Sequence, residues 1–296
     1  MPHIGELSAL LTAVFWSITS FAFSSASKKL GSLTLNINRM MLASVFLVLT
    51  IIVLDFDYRL SANQILNLVL SGIVGLVIGD TFLFKSFQYI GARIGMLLMA
   101  LSPVMSGMLA YIFLGESLSF WAITGMLITI GGVVLVVSER KETPSSEYKI
   151  SKIGIFHGLM GALGQAGGLI FAKFAFEEGE VNKMVATFVR IFSSVIIITI
   201  LAVLAKRFKN PIKVYKENPK AITTTAVGTF FGPYLGITFS LIAIANTKVG
   251  IAATLMSTMP IIMLPMVRYY FKEKLSWRAI IGAFIAVAGV AIIFLR

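Results

Sequence analysis

Ten stretches of about 20 mostly apolar residues, the length a helix needs to cross hydrocarbon, follow one another along the chain. They fall at roughly 7–27, 33–54, 65–87, 95–114, 120–138, 152–174, 184–205, 221–245, 249–271 and 277–295. None shows the alternating polarity of a barrel strand. The connections between them are short, which leaves no room for a separate soluble domain. Only 13% of the residues are charged, against about 25% in soluble domains. A water-exposed globule of 296 residues cannot hide that much apolar surface, so the excess faces lipid. The fold class expected is an all-α membrane protein of ten transmembrane helices. Met1 to Glu6 carries no basic stretch of the kind that opens a cleaved signal peptide, so the first span is expected to be retained.

The ten spans form two sets of five. Gly75, Gly79, Pro103, Glu116, Leu118, Ser119, Gly125 and Gly132 recur 157 residues later, without a gap, as Gly232, Gly236, Pro260, Glu273, Leu275, Ser276, Gly282 and Gly289. Apolar segments share Leu and Gly readily, but not Pro, Glu and Gly in one register. The chain therefore divides into a first repeat (1–140), a linker (141–151, with Pro144, Ser145 and Ser146) and a second repeat (152–296). Five is odd, so the second repeat enters the membrane from the opposite side, and inverted repeats of this kind place their sites at the interface of the halves near mid-membrane.

Charge sets the expected orientation. Of the 25 Lys and Arg, 18 fall in loops on one side and five on the side of the termini, while Arg39 and Arg190 lie inside spans. Basic loops stay in the cytoplasm, which places both termini outside. The same reading accounts for the net charge of +12 by the anionic leaflet rather than by nucleic acid.

Tandem five-span halves, each with an Arg early in its second span, resemble the EamA-type members of the drug/metabolite transporter superfamily. So do the Pro, Glu-x-Leu turn and Gly-rich fifth span of Leu101–Val137, echoed at Ser257–Phe294. The resemblance covers nearly the whole chain. It implies a secondary transporter in the cell membrane, working by alternating access, and an exporter of small metabolites such as amino acids. Ten-span family members are usually drawn with both termini in the cytoplasm, the reverse of the charge count here. A passive facilitator and a flippase for lipid-linked head groups stand as alternatives. The partners expected are a small-molecule substrate and the bilayer, with a proton gradient as a candidate for coupling; a monomer and a homodimer both fit.

Within the spans, a few residues stand out. Charges in hydrocarbon are expensive and mark function by default. Arg39 and Asp80 each lie about 10 Å inside the cytoplasmic face at a rise of 1.5 Å per residue, so they can pair. Arg39 could instead snorkel to the headgroups, and Asp80 could serve as a proton or cation site. Arg190 has no carboxylate in the spans of its own half, which leaves snorkelling or a substrate carboxylate. Asn38, Trp16 and Gln165 bring polarity into spans two, one and six, Tyr234 into span eight, and Met99 and Met256 supply flexible apolar walls. These residues are the candidate substrate-binding set. Pro103 and Pro260 sit mid-span and are expected to kink spans four and nine. Gly75, Gly79, Gly232 and Gly236 are spaced for close helix packing, and with the two prolines form the candidate gating set. Spans five and ten are expected to be structural or oligomeric. No enzyme is expected. Cys is absent, His3 and His157 are the only histidines, and no Walker A, Gly-x-Ser-x-Gly or Gly-x-Gly-x-x-Gly motif occurs. Neither a metal nor a cofactor is called for.

Overall fold

The structure, a computed structural model, is described over residues 3–114, 119–138, 151–246, 252, 255–270 and 275–295. The linker short of Ser151, Glu116, Leu118 and Glu273 lie outside the described residues. What is described is helical, with no strand. In chain order the helices are α1 (Ile4–Leu30), α2 (Ser32–Val53), α3 (Ala62–Ser71), α4 (Asp80–Met99), α5 (Ser102–Leu114), α6 (Phe120–Val137), α7 (Lys152–Glu177), α8 (Lys183–Leu204), α9 (Pro211–Glu217), α10 (Pro219–Thr229), α11 (Ile237–Asn246), α12 (Met259–Pro265) and α13 (Trp277–Leu295). Stretches of wider π-helix join α3 to α4 at Gly72–Gly79 and α10 to α11 at Phe230–Gly236, and a third follows α12 at Met266–Tyr270. Among the described residues, seven helical runs are long and apolar enough to cross a membrane; Ser102–Phe113, Met259–Tyr269 and Trp277–Ile293 are shorter apolar helices. Outward-facing residues such as Val53, Phe113 and Leu204 are more than two-thirds exposed, as lipid-facing side chains should be.

Local chemistry explains the ends. Ser119 and Ser276, a repeat-related pair, both accept a hydrogen bond from the third backbone N–H onward, from Ala122 N at 3.1 Å and Ala279 N at 3.0 Å. They are the N-caps of α6 and α13, which satisfy donors that lipid cannot. Ser61 opens α3 with a capping box to Gln64. Asn210 caps α9, with Pro211 in its first turn. That short helix lies in the connection between α8 and α10. It turns Val214 inward and leaves Lys213 and Lys216 exposed.

Two expectations need correcting. Spans three and four were expected to be separated by a loop at residues 88–94. Instead the helix reverses at a single residue, Gly91 (φ 76°, ψ 168°), inside α4. Gly31, between α1 and α2, has nearly the same backbone (φ 85°, ψ 151°). A Cβ is strained in this conformation whatever the space around it. Gly91→Ala should therefore cost about 1–3 kcal/mol, read as a lower unfolding temperature of the purified protein in detergent.

The second correction concerns the prolines. Pro103 and Pro260 do not kink a continuous helix. The chain breaks just before each of them, at Ala100–Leu101 and at Ser257–Thr258, and each proline sits in the first turn of the helix that follows. There its missing N–H costs nothing. Pro103→Ala should accordingly shift the unfolding midpoint by less than about 1 kcal/mol, in contrast to a mid-helix proline.

Glycine decides which helices touch. The π-helical turn at Gly72–Gly79 lies against α7, where a methyl on Gly168 would come within 2.8 Å of Gly75 Cα and one on Gly164 within 2.5 Å of Gly79 Cα. In the second half the corresponding turn lies against α1, and there Trp16 and Phe23 fill the space over Gly236 and Gly228. Each half's first helix thus packs on the other half's broken third helix. Helices α6 and α13 pair with one another through Gly125, Gly132, Gly282 and Gly289 and pack behind α4 and α7 through Leu97, Leu98 and Leu159. The four glycines therefore serve a structural contact within the chain.

Candidate functional site

A cavity of about 310 Å³ lies among α1, α4, α5, α7, α8 and the segments around Pro233 and Met256. Both helix breaks border it: Met99, Ser102 and Pro103 from one half, Met256, Ser257 and Met259 from the other. Its lining includes Phe23, Phe84 and Phe87, which are 4%, 3% and 1% exposed. From α7 come Phe176 and Lys173, whose side chain is 44% exposed and pairs with Glu177 at 3.7 Å.

The charged centre is built from four helices. Asp80, first residue of α4 after the π-helical turn, forms an ion pair with Arg39 of α2 through Oδ2. Its Oδ1 accepts from Gln165 Nε2 of α7 at 2.6 Å. Arg39 also donates to Asn36 Oδ1 through Nε at 3.0 Å and Nη2 at 2.9 Å. Asn36 in turn donates to Leu76 O and Thr81 Oγ1, both at 2.8 Å. The guanidinium lies over the Phe84 ring at 4.6 Å and near Phe23 at 5.5 Å, so the pair also seats two aromatic walls of the cavity. Arg39 is 4% and Asp80 5% exposed; snorkelling of Arg39 to the headgroups is excluded. A buried pair is favoured when further hydrogen bonds satisfy its lone pairs and protons, and the Asn36 and Gln165 contacts supply three of them.

Arg190 of α8 is different. It lines the same cavity at 3% exposure, its Nε has no hydrogen-bond partner, and it feels Asp80 only through space. It too does not snorkel. Against the candidate set, Trp16, Arg39, Asp80, Met99, Gln165, Arg190 and Met256, together with Pro103 and Gly232, line the cavity. Asn38, Tyr234, Pro260, Gly75, Gly79 and Gly236 do not. Asn38 is buried with an unpartnered Nδ2. Tyr234 shares a hydrogen bond with Thr50 at 2.8 Å and stacks among Phe46 and Phe230, a packing role on the far side of the π-helical turn. The three glycines are spent on helix contacts and Pro260 on starting α12. Asn36 escaped the sequence reading, although a polar residue three positions before Arg39 on one helix face was a usable signal. Lys173 and Phe176 escaped it because they stand at a span end, where nothing local separates a cavity wall from a membrane boundary. Among the described residues no group of acidic and histidine side chains is arranged to hold a metal.

Long apolar helices around a cavity bordered by helix breaks fit a multi-pass helical membrane protein. The chain belongs to the EamA-like transporter family, whose model matches residues 3–138 and again 152–295. It is 21% identical over 290 residues to a protein of Archaeoglobus fulgidus described as an uncharacterized transporter, covering 98% of this chain and 97% of that one. A crystal structure of a protein superposes with a TM-score of 0.68 at 16% identity, covering 98% of this chain and 96% of the other; at that identity it speaks for the fold alone.

Proposed function

We propose that the protein is a secondary transporter of small metabolites that works by alternating access in the cell membrane. Ten crossings make two oppositely inserted halves, 1–140 and 152–296, that rock about the cavity between them. The observation that carries this reading is the symmetry of the helix breaks. They lie at repeat-related positions, Ala100–Leu101 and Ser257–Thr258, and border the cavity from both halves. Interrupted helices at corresponding positions of two repeats, around a shared cavity, are what an alternating-access site is built from. The close glycine contacts of α7 with the first π-helical turn are the seam on which a half would slide. Purified protein in sealed vesicles should accumulate solute against its gradient when a proton gradient is imposed. Flux that only equilibrates, unaffected by the proton gradient, defines a passive facilitator instead. That second reading is favoured by one fact: Asp80, the one fully buried carboxylate among the described residues, has both oxygens engaged.

The charge count sets the orientation proposed: loops rich in Lys and Arg in the cytoplasm and both termini outside. A membrane-impermeant label on a cysteine introduced at Lys213, on α9, should then stay unreacted in intact cells and react after permeabilisation. Labelling from outside would reverse the orientation.

A further inference from the structure

We infer that the cavity takes an organic monoanion with an apolar body, a monocarboxylate anchored on Arg190, in preference to a zwitterionic amino acid; this rests on the transporter reading above. Three observations lead there. First, the charges do not balance. Arg39 and Asp80 neutralise each other, Lys173 pairs with Glu177, and Arg190 is left over. An arginine at 3% exposure with an unpartnered Nε is a costly thing to keep in a membrane, and it faces the cavity. A planar carboxylate matches its fork of donors.

Second, among the described lining residues no carboxylate is free to receive an ammonium group. Asp80 is the one carboxylate among them, with Oδ2 held by Arg39 and Oδ1 by Gln165. An amino acid would have to leave its ammonium against neutral hydroxyls, such as Ser102, Ser240 and Ser106 with its unpartnered Oγ, or break the Arg39–Asp80 pair, and a cation brought close to Arg190 adds repulsion. Third, the remaining walls are mostly apolar, Phe, Leu, Met and Ile with Trp16 and a few hydroxyls, around about 310 Å³, at the small end of ligand pockets. That suits a compact apolar body with one charged end. The first turn of α5, at Ser102 and Pro103, borders the same space, and its positive dipole end favours the same sign of charge.

Three probes of nearly one shape separate the possibilities: 3-phenylpropanoate, its neutral amide, and phenylalanine. Binding is measured calorimetrically on the purified wild-type protein and on Arg190→Gln and Arg190→Lys, and counterflow of each probe is measured in vesicles. The wild type should bind the anion about tenfold or more tighter than the amide or the zwitterion, the usual scale for a charged hydrogen bond. Arg190→Gln should bring the anion down to the level of the amide, and Arg190→Lys should keep part of the preference. Equal or tighter binding of phenylalanine, no binding of the anion, or a preference that survives in Arg190→Gln overturns the inference. The comparison within the wild type stands even where a variant fails to fold. Arg190-dependent binding without counterflow would reject the transporter reading and keep the anion site. Counterflow of phenylalanine or the amide that ignores Arg190 would do the opposite.

Discussion

Asp80→Asn should destabilise the purified protein by about 3–5 kcal/mol, the usual loss when one partner of a buried ion pair is removed. The reason is what remains. Asparagine keeps an oxygen for Gln165 but no charge for Arg39, which stays at 4% exposure between Phe84, Phe23 and Asn36. The cation is left buried with no counter-charge in contact with it. Arg39→Gln combined with Asp80→Asn should recover most of the loss, because two neutral amides satisfy each other. Asp80's equivalent in the second repeat is Ile237, so the scaffold itself tolerates an uncharged residue there. Thermal unfolding in detergent reads the stability. Proton-driven accumulation in vesicles reads the other role. If Asp80 also carries the coupling proton, the double variant should be stable yet transport only down the substrate gradient. A stable single variant with proton-driven transport intact would reject both the structural pair and the coupling role.

How far the sequence reached depends on the kind of interaction. Most span positions came through within a few residues, because the cost of leaving polar backbone in lipid fixes helix length and composition together; among the described residues, though, seven runs rather than ten are long and apolar enough to cross, and the expected start of span nine at 249 lies outside them. The pairing of Arg39 with Asp80 was legible from depth alone, since rise per residue converts sequence position into distance from the membrane surface. Depth is not direction, however. It could not tell that Asn38 and Tyr234 turn away from the cavity while Trp16 and Gln165 turn into it, because rotation about a helix axis is set by neighbours distant in sequence. The prolines misled for a related reason. A proline at mid-span reads as a kink, but Leu97 O and Leu98 O accept from Ala100 N and Leu101 N at 3.1 and 3.0 Å. The helix has already tightened and ended before Pro103 begins the next one. A one-residue reversal at Gly91 was equally hidden, since a lone glycine in an apolar run gives no sign of its φ.

Gly132→Leu should abolish the folded protein in detergent or lower its stability by more than about 3 kcal/mol, while Gly131→Leu, one residue away on the same helix, should be close to neutral. The two glycines differ only in what they face. A Cβ at Gly131 meets nothing within 4 Å, whereas one at Gly132 would lie 2.7 Å from Gly282 O and 2.9 Å from Ala286 Cα. Those are backbone atoms of α13, which cannot rotate aside as a side chain does, so α6 and α13 would have to separate along their length. In lipid that contact is held by close packing and not by exclusion of water, so distance is the whole of its energy. The partner glycines make the test symmetric. Gly289 comes against Gly125 O at 2.7 Å, and Gly289→Leu should match Gly132→Leu. Should Gly132→Leu instead fold normally with impaired transport, the α6–α13 contact is loose enough to move in the cycle, and the moving parts extend beyond the helices that line the cavity. The comparison of unfolding temperatures and vesicle flux for Gly131→Leu, Gly132→Leu and Gly289→Leu decides between a fixed brace and a sliding one.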